Sequence, residues 1–194
     1  MKTIAISGSP RENVGKRDAK ELRYEGKVPA VLYGGTEQKH FSVVSTDLKD
    51  AIYTPEANFL EITIDGVKTK AIIKELQFHP LTDLLLHVDF IQLFDEKEIL
   101  MEIPVKLTGT SPGVKMGGKL VQKLRKLRVK GLPKDHLDNI EVSIEGLEVG
   151  KSVRVGEIKL PNLTITNAAE DTIVSVTTSR ALRQAEQEAA SGKK

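Results

Sequence analysis

Cysteine and tryptophan are absent from these 194 residues, and aromatic residues make up only 4% of the chain. Without cysteine there is no disulfide framework, no thiolate zinc site and no cysteine nucleophile, and the composition suits a reducing compartment, by default the cytoplasm. Long hydrophobic runs are missing as well. No stretch approaches the roughly 20 apolar residues that span a bilayer, and Met1-Lys2-Thr3-Ile4-Ala5-Ile6 lacks the longer apolar segment of a signal peptide. The expectation is a protein without membrane contact and not exported. A strong charge excess is lacking too: 29 Lys+Arg face 27 Asp+Glu, a net +2. Total charge therefore says little about a nucleic-acid partner, which usually shows as a clustered basic excess.

The distribution of charge says more than its sum. Residues 1–95 hold 12 basic against 14 acidic side chains, whereas residues 96–194 hold 17 against 13. Within the first half, positives concentrate at Arg11, Lys16, Arg17, Lys20, Arg23 and Lys27. In the second half, residues 115–134 carry eight positives and no acid. These are two candidate phosphate-facing patches.

Period-two alternation dominates the chain, the pattern of half-buried strands. Strands are expected over 3–7, 28–33, 41–44, 59–64, 67–76 and 84–94. Asp65-Gly66 between the fourth and fifth is a strong type I′ hairpin signal. Residues 17–25 read as a helix ended by Gly26, with Ala19 and Leu22 three apart on one face, and 46–52 as a short helix with Thr46 as its N-cap. After Asp95-Glu96-Lys97 a new alternation begins at Ile99, Met101, Ile103, Val105 and Leu107, which places a domain boundary there. Further strands follow around 120–129, 140–144, 152–155, 163–166 and 172–177. The reading is a mainly β chain with short helices: a β-barrel-like domain over 1–95, an all-β domain over 96–180, and a flexible or helical tail over 181–194.

Several constellations could carry chemistry. Ile4-Ala5-Ile6-Ser7-Gly8-Ser9-Pro10-Arg11 looks like the first strand and phosphate loop of a flavodoxin-like FMN reductase. That fold needs repeated βαβ crossovers, and the hairpin and the long all-β second half leave no room for them. Lys16, Lys20 and Arg23 recur at spacings of four and three and share one helix face, either solvated or set against phosphates. In Leu86-His87-Val88-Asp89-Phe90, alternation sends Leu86, Val88 and Phe90 to the core and projects His87 and Asp89 together. Such a pair can donate to, accept from or stack on an RNA base. As a catalytic dyad it lacks a nucleophile in a surrounding motif, so no catalytic residue is assigned. His40, His79, His87 and His136 show no metal-ligand spacing, and neither metal nor cofactor is expected.

Four ordered blocks, Gly15-Lys16, Leu22-Arg23-Tyr24-Glu25-Gly26-Lys27-Val28-Pro29-Ala30-Val31-Leu32-Tyr33-Gly34-Gly35, Gln77-Phe78-His79-Pro80 and His87-Val88-Asp89-Phe90, resemble bacterial large-subunit ribosomal protein twenty-five. Gly113-Val114-Lys115, Gly117-Gly118-Lys119-Leu120, Gly131-Leu132-Pro133 and Leu147-Glu148-Val149-Gly150-Lys151 extend the likeness to the family's long form, the general stress protein CTC. The resemblance implies a non-enzymatic component of the large subunit that binds the loop E region of 5S rRNA within the central protuberance, as a monomer in the ribosome. By matching position it implies RNA contacts at Arg11, Lys16, Lys20, Arg23, Tyr33, Gln77, His87 and Asp89. This chain departs from the family at Glu21 and Phe78, where relatives often carry basic residues, which bears on phosphate contacts and so on affinity. A non-ribosomal RNA-binding stress protein is the other reading. In the second half, Lys115, Lys119, Lys123, Arg125, Lys126, Arg128 and Lys130 form an expected secondary patch for rRNA or neighbouring ribosomal proteins. The alternative is a basic strand that guards a sheet edge. Alternation there is imperfect, because Leu124 falls on the parity of Lys126 and Arg128 while Arg125 falls on that of Leu127 and Val129.

Overall fold

The computed structural model describes residues 2–35 and 37–178. It is mainly β, and its described residues divide into two units, one of residues 2–99 with 132–138, the other of 100–131 with 139–178. The tail expected over 181–194 lies outside the described residues.

In the first unit the chain runs through β1 (Thr3–Pro10), α1 (Lys16–Tyr24), β2 (Lys27–Tyr33), β3 (Lys39–Val44), α2 (Lys49–Ile52), β4 (Phe59–Ile64), β5 (Val67–Phe78) and β6 (Leu85–Gln92). The six strands close a barrel in the order β1-β3-β2-β6-β5-β4, with β4 returning to β1. Four of its six pairings are antiparallel; β1 with β4 and β2 with β6 are parallel. Alternating residues fill the interior, among them Ile6, Val28, Ala30, Leu32, Phe41, Val43, Leu60, Ile62, Val88 and Phe90. Phe41 and Phe90 stack at its centre with ring centroids 5.7 Å apart.

The turn between β4 and β5 has Asp65 at φ 49° and Gly66 at φ 80°, both positive as a type I′ turn requires. The short helix begins later than expected. Residues 45–48 form a turn, the helix starts at Lys49, and the Thr46 hydroxyl donates to its neighbour Asp47, while the Thr46 carbonyl accepts from the Lys49 N–H at 3.2 Å. Leu48, fully buried, explains this: its insertion into the barrel core fixes the turn ahead of the helix.

The flavodoxin-like reading fails on β1. Ser7-Gly8-Ser9-Pro10 is no phosphate loop but the end of a barrel strand, with Gly8, Ser9 and Pro10 paired antiparallel to Val43, Ser42 and Phe41. Gly8 has a packing reason, since a Cβ there would stand 2.5 Å from the Phe41 ring.

The second unit is built from β7 (Ile99–Thr108), α3 (Pro112–Lys115), β8 (Lys119–Gln122), β9 (Lys126–Gly131), β10 (Ile140–Ser143), β11 (Ser152–Arg154), a 3-10 turn at Val155–Glu157, β12 (Thr164–Ile165) and β13 (Thr172–Thr177). Its strands form a four-stranded sheet, β10-β7-β9-β12, and a three-stranded sheet, β11-β13-β8. Ile103, Val105, Leu127, Val129, Ile140 and Ile173 fill its core, and Leu107 and Val153 join this cluster to a smaller one around Val174 and Val176. The region read as strand over 120–129 is two strands in different sheets, separated by a bend at residues 123–125. The bend resets the alternation and removes the mixed face expected there. In β9, Lys126, Arg128 and Lys130 are exposed while Leu127, Val129 and Gly131 are buried, and Leu124 packs against the core.

Candidate nucleic-acid interface

The outer face of β6 and its neighbours gathers the polar residues that the sequence spreads over sixty positions. Val31 on β2 and Glu75 on β5 both register with Asp89, and Gln77 on β5 registers with His87. An irregularity in β5 makes this possible. Ile73 pairs with Phe90 and Glu75 with Asp89, so Lys74 is an extra residue with no partner in β6. Such a bulge shifts the parity of the strand. Ile73 and Leu76, three apart, both pack against the core, and Glu75 and Gln77 turn outward with Asp89 and His87.

A second irregularity pairs Phe78 with Leu85 and leaves Leu86 outside the ladder. Leu85, not Leu86, therefore packs against the core beside Val88 and Phe90, a correction to the expected apolar trio. The carbonyl of Leu86 instead accepts from Nε of Arg23 at 3.0 Å. That bond fastens the end of the basic helix beside the strand that carries His87.

His87 Nδ1 lies 2.7 Å from Asp89 Oδ1, and both side chains are about a quarter exposed at 26% and 27%. The contact requires Nδ1 to carry a proton. Neutral His87 would then offer Nε2 as an acceptor, and protonated His87 would offer it as a donor. Tyr33 sits half-buried near this pair. Its phenol is held above the usual tyrosine value, first by burial and then by the nearby carboxylates of Asp89 and Glu75, so near neutral pH it is an O–H donor. Glu75 opposite Asp89 is a like-charge pair across two strands, an arrangement that destabilises a sheet. Sites that break local rules in this way are expected where function requires them.

The basic cluster at the N-terminus separates into two groups. Arg17 pairs with Glu21 at 3.3 Å and Lys27 with Glu25 at 3.0 Å. Arg11, only 9% exposed at its side chain, is bound by Asp18 and donates to the carbonyl of Asn13 at 3.2 Å, which ties the loop before α1 to the helix. Lys16, Lys20 and Arg23 are exposed, and among the described residues no acidic side chain pairs with them. Lys20 Nζ stands 5.8 Å from the ring centroid of Tyr24, a cation–π contact with a ring that is 80% exposed. Seven of the eight expected residues thus lie on the basic helix or the adjoining sheet face, and Arg11 begins the loop that leads to the helix.

Sequence reasoning missed Glu75 and Tyr24. Tyr24 could have been found, because it continues the Lys16–Lys20 spacing of four. Glu75 could not, because its side depends on the bulge at Lys74. The second patch is not one surface in sequence order: Lys115 lies on α3, Lys119 on β8, and Lys126, Arg128 and Lys130 on β9. Because β9 lies between β7 and β12, it is not an edge, and the edge-guarding alternative does not apply to it. Arg128 pairs with Glu102 at 3.2 Å, whereas Lys123, Arg125 and Lys126 are exposed and have no acidic partner among the described residues.

Two family models match the chain, one in each half. The model of the Ribosomal L25p family matches residues 6–90, and that of the ribosomal protein TL5 C-terminal domain matches residues 98–180. Large ribosomal subunit protein bL25 of Cytophaga hutchinsonii is 48% identical over 194 residues, covering all of both chains. The chain belongs to the bL25 family. The bL25 proteins of Porphyromonas gingivalis, 44% identical over 95% of this chain and 97% of theirs, and of Bacteroides fragilis, 42% identical over the full length of both, place the match across both units. As a bL25 protein it is a structural component of the large ribosomal subunit and not an enzyme. The bL25 match covers the barrel with its basic helix and polar face as well as the second unit. The Ser-Gly-Ser segment that resembled a flavin loop lies within the L25p match.

Proposed function

We propose that the barrel binds 5S rRNA at its loop E region, with α1 on phosphates and the β2–β6–β5 face on base edges. The observation that carries this is the segregation of charge. Cations with no acidic partner among the described residues, Lys16, Lys20 and Arg23, stand on the helix, while Glu75, Asp89, His87, Gln77 and Tyr33 share the neighbouring sheet face. Two carboxylates repel phosphate but accept from amino and imino groups of bases. That combination suits a non-canonical RNA helix whose base edges are open, and the helix supplies the salt-dependent attraction and register. Arg11 contributes by holding the loop and helix in place. RNase footprinting of 5S rRNA with the full chain tests the assignment. Protection should centre on loop E and fade in the Asp89→Asn variant, and protection elsewhere on 5S rRNA would overturn it.

The exposed cations of the second unit at Lys123, Arg125 and Lys126, continued by Arg128 and Lys130 on β9 and by Lys115 and Lys119 on their own elements, support a second contact with rRNA phosphates outside the 5S site. Their lack of acidic partners around 123–126 among the described residues favours this reading, since an idle basic surface is ordinarily interspersed with acids.

A further inference from the structure

At the end of the polar face the connection between β5 and β6 presents apolar side chains to solvent: Leu81 is 89% exposed, Leu84 66% and Phe78 39%. The loop that carries them is tightly fastened. His79 N–H donates to the Leu84 carbonyl at 2.8 Å, Asp83 N–H donates to the His79 carbonyl at 2.9 Å, and the N–H groups of Leu81 and Thr82 both donate to His79 Nδ1 at 3.3 Å. Asp83 takes a left-handed conformation, φ 53°, to close the turn. Exposed leucines on a loose loop need no explanation, but a loop whose backbone groups are satisfied internally displays them in one arrangement. Preorganised apolar surface of this kind lowers the entropic cost of association.

The chemistry of the tip selects its partner. From Phe78 to Leu86 the only formally charged side chain is the acid Asp83, with no lysine or arginine. A phosphate backbone would meet a carboxylate and hydrocarbon there, with no cationic donor to neutralise it. A protein surface with an apolar patch bordered by lysine or arginine fits both features, with the leucines covered and Asp83 paired. The tip springs from the strands that place Gln77 and His87, so it stands at the border of the RNA-facing surface. We propose that Phe78, Leu81 and Leu84 form a docking surface for a neighbouring basic protein of the large subunit, distinct from the RNA contact.

Two experiments on the full chain test this. With a photo-crosslinking phenylalanine analogue in place of Leu81, purified large subunits should yield a crosslink to a ribosomal protein. Crosslinks to rRNA alone, or none at all, would overturn the proposal. Leu81→Ser with Leu84→Ser, and separately Asp83→Asn, should leave affinity for naked 5S rRNA within twofold and the melting temperature near that of the parent. Their retention on large subunits through a high-salt wash should fall at least fivefold. Lost affinity for naked 5S rRNA with an intact fold would make the tip an RNA contact, and unchanged retention would make it an idle surface; either result refutes the docking surface. If the parent chain itself fails to bind 5S rRNA, the RNA assignment fails while the crosslink still reports on the neighbour.

Discussion

At the level of single residues, the face around Asp89 owes its character to side chains that constrain one another. Asp89 orients His87, and burial, followed by the carboxylates of Asp89 and Glu75, holds the Tyr33 phenol above its ordinary value. The sign of the Tyr33 effect follows from linkage. Its folded-state value is raised, so the stability it contributes is fully present below the ordinary tyrosine value of about 10 and is lost as pH rises through the folded value. An ultraviolet titration of parent minus Tyr33→Phe should therefore show a tyrosinate step centred above pH 10. A step at or below 10 would mean that Tyr33 is not held beside the carboxylates. Residue identity alone made His87 and Asp89 legible as a pair, because i and i+2 on any strand share a side. It did not reveal Glu75.

Among the elements, what could be read from sequence was the regular part. The β4–β5 hairpin was legible because Asp65-Gly66 has a conformational preference of its own, and α1 because Gly26 marks its end. The bulges at Lys74 and Leu86 were not, since an extra residue in a ladder leaves no local mark and is decided by which apolar side chains, Ile73 with Leu76 or Leu85 with Val88, reach the core. The bend at 123–125 was foreshadowed only as a conflict in alternation. The helix α1 allows a quantitative expectation. If Lys16 and Lys20 each face one phosphate, replacing both by alanine should reduce the slope of log affinity for 5S rRNA against log salt by about 2, roughly one per contact, with little change in melting. An unchanged slope would assign this helix face to solvent.

For the molecule as a whole, the sum of charge is a poor guide. The half that carries the proposed 5S site is net acidic, because acids on the sheet face and in ion pairs offset the helix cations, and local arrangement decides the partner. The restart of alternation at Ile99 coincides with the start of β7, whereas the grouping of residues 132–138 with the first unit depends on a return of the chain that no local pattern encodes. If the second unit contacts rRNA independently, Lys123→Glu, Arg125→Glu and Lys126→Glu together should weaken salt-resistant retention on the large subunit several-fold and leave naked 5S rRNA affinity unchanged. Equal retention of parent and variant would leave these cations without a role in binding.

The most direct test is a 5S rRNA binding titration of the full chain, at one fixed salt concentration, with His87→Ala and Asp89→Asn beside Phe90→Ala as the core control. Both polar variants should melt near the parent temperature and lose at least tenfold in affinity, about 1.4 kcal/mol. Phe90→Ala, which empties the fully buried partner of Phe41, should lower stability by about 3 to 5 kcal/mol. Normal binding by both polar variants, with their fold intact, would contradict the assignment of this face to RNA.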